Sequence, residues 1–443
     1  MNIKLSEHFT YKKLLTFVFP SVMMMVFTSI YGVVDGFFVS NYVGKTPFAA
    51  LNLIYPFVQI ISAVGFMMGA GGSAIIGKTL GEGDSPRASR YFSLIVYSTA
   101  FFGILFSAVG IPFLEPISIL LGADEAMLGY CVVYGRILLI GMVTFMLQCL
   151  FQSLLVTAEK PHLGFAVTVA AGVTNMFLDW LLVGVLQYGL EGAAWATVIS
   201  QTVGGVIPLI YFALPNSSLL HLGKTKLELK VLLKACTNGS SELVSNISAS
   251  FVGILYNLQL MKYAGEDGVA AYGVIMYVSF IFAAIFFGYA IGAAPVISYH
   301  YGAKNTAELR NLFKKSVTIM SAVGILMTVF AEFAALPLSR LFVGYDENLM
   351  EMTCRGMMIL SSAFLIAGIN IFGSAFFTAL NNGAVSALIS FLRTLVLQAV
   401  TVLIIPLIWE LDGVWFAAVA AEVLSFAVTV IFLAKYRKKY NYA

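Results

Sequence analysis

Residues 14–39 read LLTFVFPSVMMMVFTSIYGVVDGFFV. As a helix this stretch is about 39 Å long, enough to cross the roughly 30 Å hydrocarbon core of a bilayer. Its one ionisable residue is Asp35, and no Lys or Arg lies within eight residues of it on either side. A lone carboxylate at that depth is costly, and such a group usually faces a cavity or partner and handles an ion or proton.

The rest of the chain repeats the pattern. Of 443 residues, 60% are hydrophobic and only 11% are charged, with a mean hydropathy of +0.92. That is too apolar for the surface of a soluble protein. Mostly apolar segments recur at 14–39, 48–76, 91–113, 127–157, 163–186, 193–214, 236–261, 268–298, 316–338, 348–379, 384–409 and 413–434. They predict an all-α polytopic membrane protein of about twelve transmembrane helices. The connections are short and none is polar enough to fold as a soluble domain, so any chemistry belongs inside the bundle or at its mouths.

The first run lacks a small-residue cleavage site and is expected to remain as helix one. Cys131, Cys149, Cys236 and Cys354 fall in or beside predicted spans without paired spacing, which argues against a disulfide framework or a zinc site. His8, His162, His221 and His300 are far apart and predict no metal cluster. Of the 25 Lys and Arg, the groups at 4–13, 78–90, 160, 224–234, 304–315 and 435–439 share one side, and only Lys45, Lys262 and Arg340 fall on the other. The positive-inside rule then places both termini in the cytoplasm of a multi-pass cell-membrane protein, here a bacterial inner membrane. The net charge of +3 reflects topology and calls for no nucleic acid.

An internal repeat is the second clue. Sliding the chain by 221 residues places Gly32 on Gly253, Tyr42 on Tyr263, Gly44 on Gly265, Gly71 on Gly292, Gly81 on Gly302, Thr157-Ala158 on Thr378-Ala379 and Gly192 on Gly413. Each half carries about six spans, an even number, so the halves enter the membrane in the same sense as parallel repeats. Residues 1–220 are expected to form an N-lobe and residues 221–443 a C-lobe, with a central cleft between them.

Gly72-Ser-Ala-Ile-Ile-Gly77-Lys78-Thr79 matches the phosphate-loop pattern. A phosphate loop needs a strand before it and a helix start after it, whereas this octet ends an apolar span. Helix packing followed by a snorkelling lysine is the expected reading, with no ATP-driven step in this chain.

Within the spans the first half holds Asp35, Arg136 and Asp179, and Asn175 lies one helical turn from Asp179. Moving 221 residues from Asp35 reaches Tyr256, and from Asp179 reaches Val400, so the acids are not duplicated. Burial and a second nearby acid both favour the protonated form of a carboxyl group, which suits proton exchange. Two acids with neutral oxygen donors equally suit a bare Na⁺.

Pro20 through Tyr31-Gly-Val-Val-Asp35, then Gly44 and Ala49-Ala50-Leu51-Asn52, resemble the multidrug and toxic compound extrusion (MATE) transporters. So do Asn175-x-x-x-Asp179 and Leu190-Glu-Gly192-Ala-Ala-Trp195-Ala-Thr197. Gly239-Ser-Ser-Glu242 and the run from Pro295 to Ala303 look most similar to the bacterial DinF/MepA-type branch. The resemblance spans essentially the whole chain. It implies export of drugs or cationic amphiphiles coupled to H⁺ or Na⁺ entry, no cofactor, and a cation site at Asp35, Asn175, Asp179 and Thr197. It also implies a coupling kink at Pro20 in helix one.

Tyr31, Asn52, Gln59, Gln148, Gln152, Tyr256, Asn257, Gln259, Asn370 and Gln398 are candidates to line a substrate cavity, with Met and Phe supplying adaptable apolar contact. Small amphiphilic or cationic substrates, the lipid bilayer and a monomeric state are the expected partners and assembly. Glu332, Glu422, Arg355 and Arg393 are expected to pair within the C-lobe or snorkel. A lipid-linked oligosaccharide flippase is the alternative, and would favour a basic cavity. A membrane-embedded enzyme would instead specialise one half at a membrane face, against the near-gapless repeat, so the chain is expected not to be an enzyme; hydropathy leaves a receptor or channel open.

Overall fold

The computed structural model describes residues 3–443, the side chain of Lys45 excepted, and among them no strand occurs. The first half comprises α1 (Tyr11–Tyr42), α2 (Lys45–Gly81), α3 (Ser85–Gly110), the short α4 (Leu114–Leu120), α5 (Glu125–Ile140), α6 (Met142–Thr157), α7 (Pro161–Leu178) and α8 (Gly189–Ala213). The second comprises α9 (Leu229–Gly302), α10 (Thr306–Val343), α11 (Glu347–Ser361), α12 (Phe364–Ala379), α13 (Gly383–Phe391), α14 (Gln398–Ile404) and α15 (Pro406–Tyr440).

Several apolar runs become two elements for local reasons. The predicted span 127–157 is α5 and α6 meeting at 57°, and 348–379 is α11 and α12 meeting at 50°. The breaks, Gly141 and Ser362, stand one repeat apart. The 74 residues of α9 would reach about 111 Å as a straight helix, far beyond one bilayer. Instead Gly265 leaves the helical region (φ 62°, ψ −148°) and the chain turns back, because both ends of α9 meet the same half of α2. With α9 as two spans and each bent pair as one, the twelve expected spans are present.

Duplication shows in the details. Asp84 and Asn305, one repeat apart, cap α3 and α10 by accepting the Arg87 and Glu308 N–H groups. Gly44 and Gly265, also mates, both take positive φ where the first two spans of each half reverse. That conformation carries a steric cost for any residue with a Cβ.

The halves meet along a seam near the Lys/Arg-rich face. A Cβ on Gly71 would overlap the Ala235 carbonyl oxygen, and one on Gly239 the Met67 carbonyl oxygen. Gly81 against Tyr299 and Gly302 against Lys78 repeat the arrangement, and Gly288 and Gly292 fit against Val22 and Val18 of α1. One apolar core runs through this seam, joining Leu14, Phe17, Val18, Met67, Ile75 and Ile76 to Ala235, Ala293, Val296 and Ile297. Away from the basic face the first half packs on itself alone, around Val39, Ile54, Val58, Leu139, Met142 and Val198. There a Cβ on Gly32 or Gly253 would meet nothing within 4 Å. The two halves are closed together at the basic face and part toward the other. The Gly72–Thr79 octet lies inside α2, where Gly72 packs on Ile95 and Gly77 on Ser298, as helix packing requires.

Candidate cation-binding site

Spacing along α1 puts Met24, Thr28, Tyr31 and Asp35 on one face, at i, i+4, i+7 and i+11. The same spacing on α7 aligns Thr168, Gly172 and Asn175 with Asp179, the residue just after the helix. Gly172 lets the two faces lie flush, since a Cβ there would sit 2.8 Å from the Tyr31 ring. One turn beyond Tyr31 and two beyond Gly172, Asp35 comes beside Asp179, with Asn175 one turn before Asp179.

Asp179 opens a π-helical stretch, Asp179–Val185, in which Leu186 N–H donates five residues back to the Leu181 carbonyl (2.8 Å). Such wide turns occur often at functional sites. Neither acid has a charged partner: none of the ion pairs among the described residues involves them. Asp179 is fully buried and Asn175 is 2% exposed. Asp35 Oδ1, Asn175 Oδ1 and both oxygens of Asp179 are buried and accept no hydrogen bond. Acceptor oxygens without donors carry a desolvation cost, and two carboxylates in contact cannot both stay bare. A proton between the acids or a cation among the oxygens would satisfy the pair.

The other candidates fall in several places. Thr197 is half-buried on α8 and donates its hydroxyl to the Ala193 carbonyl (3.0 Å), leaving its lone pairs open; no hydrogen bond joins it to the acids. Pro20 is buried inside α1, which continues through it. Tyr31 and Gln59 are half-buried, and Asn52 and Asn257 are exposed. Gln148 and Gln152, each 7% exposed, lie inside the first half, around a cavity of about 10 Å³ that Met24, Thr168 and Gly204 also line.

Tyr256, the repeat mate of Asp35, is buried in the second half, where it donates to Gln398 Oε1 (2.9 Å) and stacks on Tyr272. Asn370 is fully buried and donates to Glu422 Oε2 (2.7 Å), which in turn holds Arg393 Nε and Nη2 at 2.7–3.1 Å. The sequence shows only half of this cluster: Asn370 has no acid near it on its own helix, and the partner comes from α15, 52 residues on. Arg355 pairs with Asp412 (Nε to Oδ1, 2.8 Å), and Glu332 accepts the Ser361 hydroxyl (2.8 Å). Arg393, Glu422, Arg355 and Glu332 thus find partners within the second half, whereas the first leaves an acidic pair unanswered.

The MatE family model matches residues 20–181 and again 243–404, once in each half. Pro20, Asp35, Asn175 and Asp179 lie in the first match, and Thr197 lies outside both. The chain is 22% identical over 429 residues to the multidrug export protein MepA of Staphylococcus haemolyticus, covering 96% of this chain and 94% of that protein. It is 22% identical over 426 residues to MepA of Staphylococcus aureus strain MRSA252, covering 95% and 93%. In three dimensions it shares the fold of a MATE protein crystallised in complex with MaL6, with TM-score 0.92, 20% identity and 98% of each chain. It also shares the fold of a MOP superfamily transporter from Pyrococcus furiosus whose binding pocket has reversed polarity, with TM-score 0.89, 20% identity, and 98% and 97% of the two chains.

Proposed function

The chain belongs to the MatE family, the multidrug and toxic compound extrusion transporters, and from that premise we propose that it exports cationic amphiphilic compounds in exchange for H⁺ or Na⁺. The observation that carries this reading is the pairing of half-buried Asp35 with fully buried Asp179, of which Asp35 Oδ1 and both Asp179 oxygens are buried without a donor. The MepA relatives, named as multidrug exporters and aligned over nearly the whole chain, support the substrate class.

The basic face is taken as cytoplasmic, with both termini on it. Residues 1–220 and 221–443 then rock against each other as two lobes, in alternating access around a midplane site. With the outer cleft open, the coupling cation enters among Asp35, Asn175, Asp179 and Thr197. Because Asp35 and Asp179 sit on different elements, a shared cation draws α1 toward α7, and Pro20, which leaves one backbone carbonyl of α1 without its donor, is where that helix yields. The change in α1 weakens a bound cationic substrate, and linkage requires the substrate to weaken the cation in return. Tyr31 and Gln59 are half-buried polar groups that could line this path, and Met24 and Phe27 supply adaptable apolar contact. The flippase alternative would use a free basic cavity, whereas Arg393 inside the second lobe is spent on Glu422.

The test is transport in proteoliposomes under imposed H⁺ or Na⁺ gradients. Asp35→Asn and Asp179→Asn should each abolish gradient-driven export while the folded protein persists. Export at the wild-type rate in either variant sinks the assignment, and the gradient that drives the wild type identifies the ion.

A further inference from the structure

Residues 3–9 form a strap along the cytoplasmic face that the transport cycle above leaves unused. Leu5 and Phe9 are fully buried and Ile3 nearly so, although they precede the first helix. At one end of the strap Leu5 N–H donates to Glu159 Oε1 (2.6 Å), in the turn between α6 and α7. At the other end Phe9 N–H donates to Glu308 Oε1 (2.9 Å), and His8 Nδ1 lies 2.6 Å from Glu308 Oε2. The Phe9 carbonyl accepts from the Asn311 amide (2.9 Å) and the Lys315 ammonium (2.6 Å). The Phe9 ring stands edge-on to His300 at the end of α9.

The two ends differ in kind. Glu159 belongs to the same lobe as the strap, so that anchor fastens the N-lobe to itself. Glu308, Asn311 and Lys315 belong to α10 of the other lobe, so the Phe9 anchor crosses between lobes. The next residue, Thr10, caps α1, the helix that carries Asp35. Glu308 is only 6% exposed, and its other contacts are to Asn311 and its own helix cap. Releasing His8 and Phe9 would strip a buried carboxylate of two of its partners.

We propose that this strap is the latch of the cytoplasmic gate, and that Glu308 is a positioning residue that holds the base of α1 on the C-lobe until the gate opens. The proposal rests on the alternating-access reading. Inward opening parts α1 and α2 from α9, so it must either carry α10 along with the N-lobe or break the contacts at Phe9. The glycine seam makes the first route impossible without also parting α10 from α9, to which it is joined at Ala303–Asn305.

The test uses the full chain in proteoliposomes, with the native cysteines replaced and Ser298→Cys as reporter. Ser298 is fully buried against Gly77 in the seam, and a membrane-impermeant maleimide applied from the cytoplasmic side reads its exposure. Glu308→Ala should speed labelling about tenfold, Glu308→Gln by less because the amide still accepts from Phe9, and Glu159→Ala should stay near the parent rate. A sibling protein retaining only Cys131, buried in the outer core of the N-lobe, reports general loosening. The latch is refuted if Glu308→Ala labels Ser298→Cys at the parent rate, or if Cys131 gains reactivity by the same factor. Failure of the antiport reading would show elsewhere, in an Asp35→Asn variant that still couples export to a gradient.

Discussion

The glycine crossing of α2 and α9 makes a demand that one methyl group can test. In Gly71→Ala the new carbon would overlap the Ala235 carbonyl oxygen and lie 2.8 Å from Gly239 N; in Gly239→Ala it would overlap the Met67 carbonyl oxygen and lie 2.9 Å from Gly71 N. Real Cβ atoms do not approach within 3.0 Å, and the obstacles are backbone atoms of packed helices, which cannot swing aside. The helices must separate by roughly 1 Å, and overpacking of that kind costs about 1–3 kcal/mol. On the alternating-access proposal the contact exists only while this face is closed, so the cost falls on that state and raises the open population by about 5- to 150-fold. Each single variant should therefore speed maleimide labelling of Ser298→Cys by a factor in that range. The double variant should fall short of the product, because helices already parted by one methyl have room for the second. Gly253→Ala is the control: nothing lies within 4 Å of its new carbon, and alanine favours a helix by up to about 1 kcal/mol. Labelling at the Gly253→Ala rate in both folded seam variants would show that the crossing is not the gate.

Two further outcomes can be measured in detergent. Arg393→Ala leaves Glu422 buried without its cation and should cost about 3–5 kcal/mol, seen as a lowered unfolding midpoint, whereas Arg393→Leu with Glu422→Leu should recover much of it; equal midpoints for the single variant and wild type would count against a buried pair. Burial pushes the Glu159 carboxyl above its ordinary value, against the opposing hydrogen bond from Leu5. The folded state then holds that proton more tightly than the unfolded chain, so this group's contribution to stability falls as pH rises from the ordinary carboxylate value to the raised one. The midpoint of the wild type relative to Glu159→Gln should decline over that interval, and a flat difference would contradict the burial.

Much of this architecture is legible in the sequence because it follows from local chemistry. Span length and hydropathy locate the helices, and Asp35 stands out against its own apolar run. The glycine pairs Gly71/Gly292 and Gly81/Gly302 mark the duplication, yet nothing in their spacing says which glycine faces which helix. That choice depends on how the lobes close. Likewise Glu422, the partner of Arg393 and Asn370, lies 29 and 52 residues beyond them on another element, and no periodicity within one helix carries that information. Gln148 and Gln152 read as cleft polar groups by residue type, while the rotation of α6 turns them into the N-lobe interior. The π-helical stretch at Asp179 left no compositional signal at all.

The reversals at Gly44 and Gly265 have a practical consequence for anyone handling this protein. Each joins two spans with almost no intervening chain, so the rim opposite the basic face offers neither slack nor a protruding loop there. An epitope or protease site spliced into either position would have to pry paired helices apart. The turn at Gly122, which also has positive φ but open space around it, is a better place for an external handle.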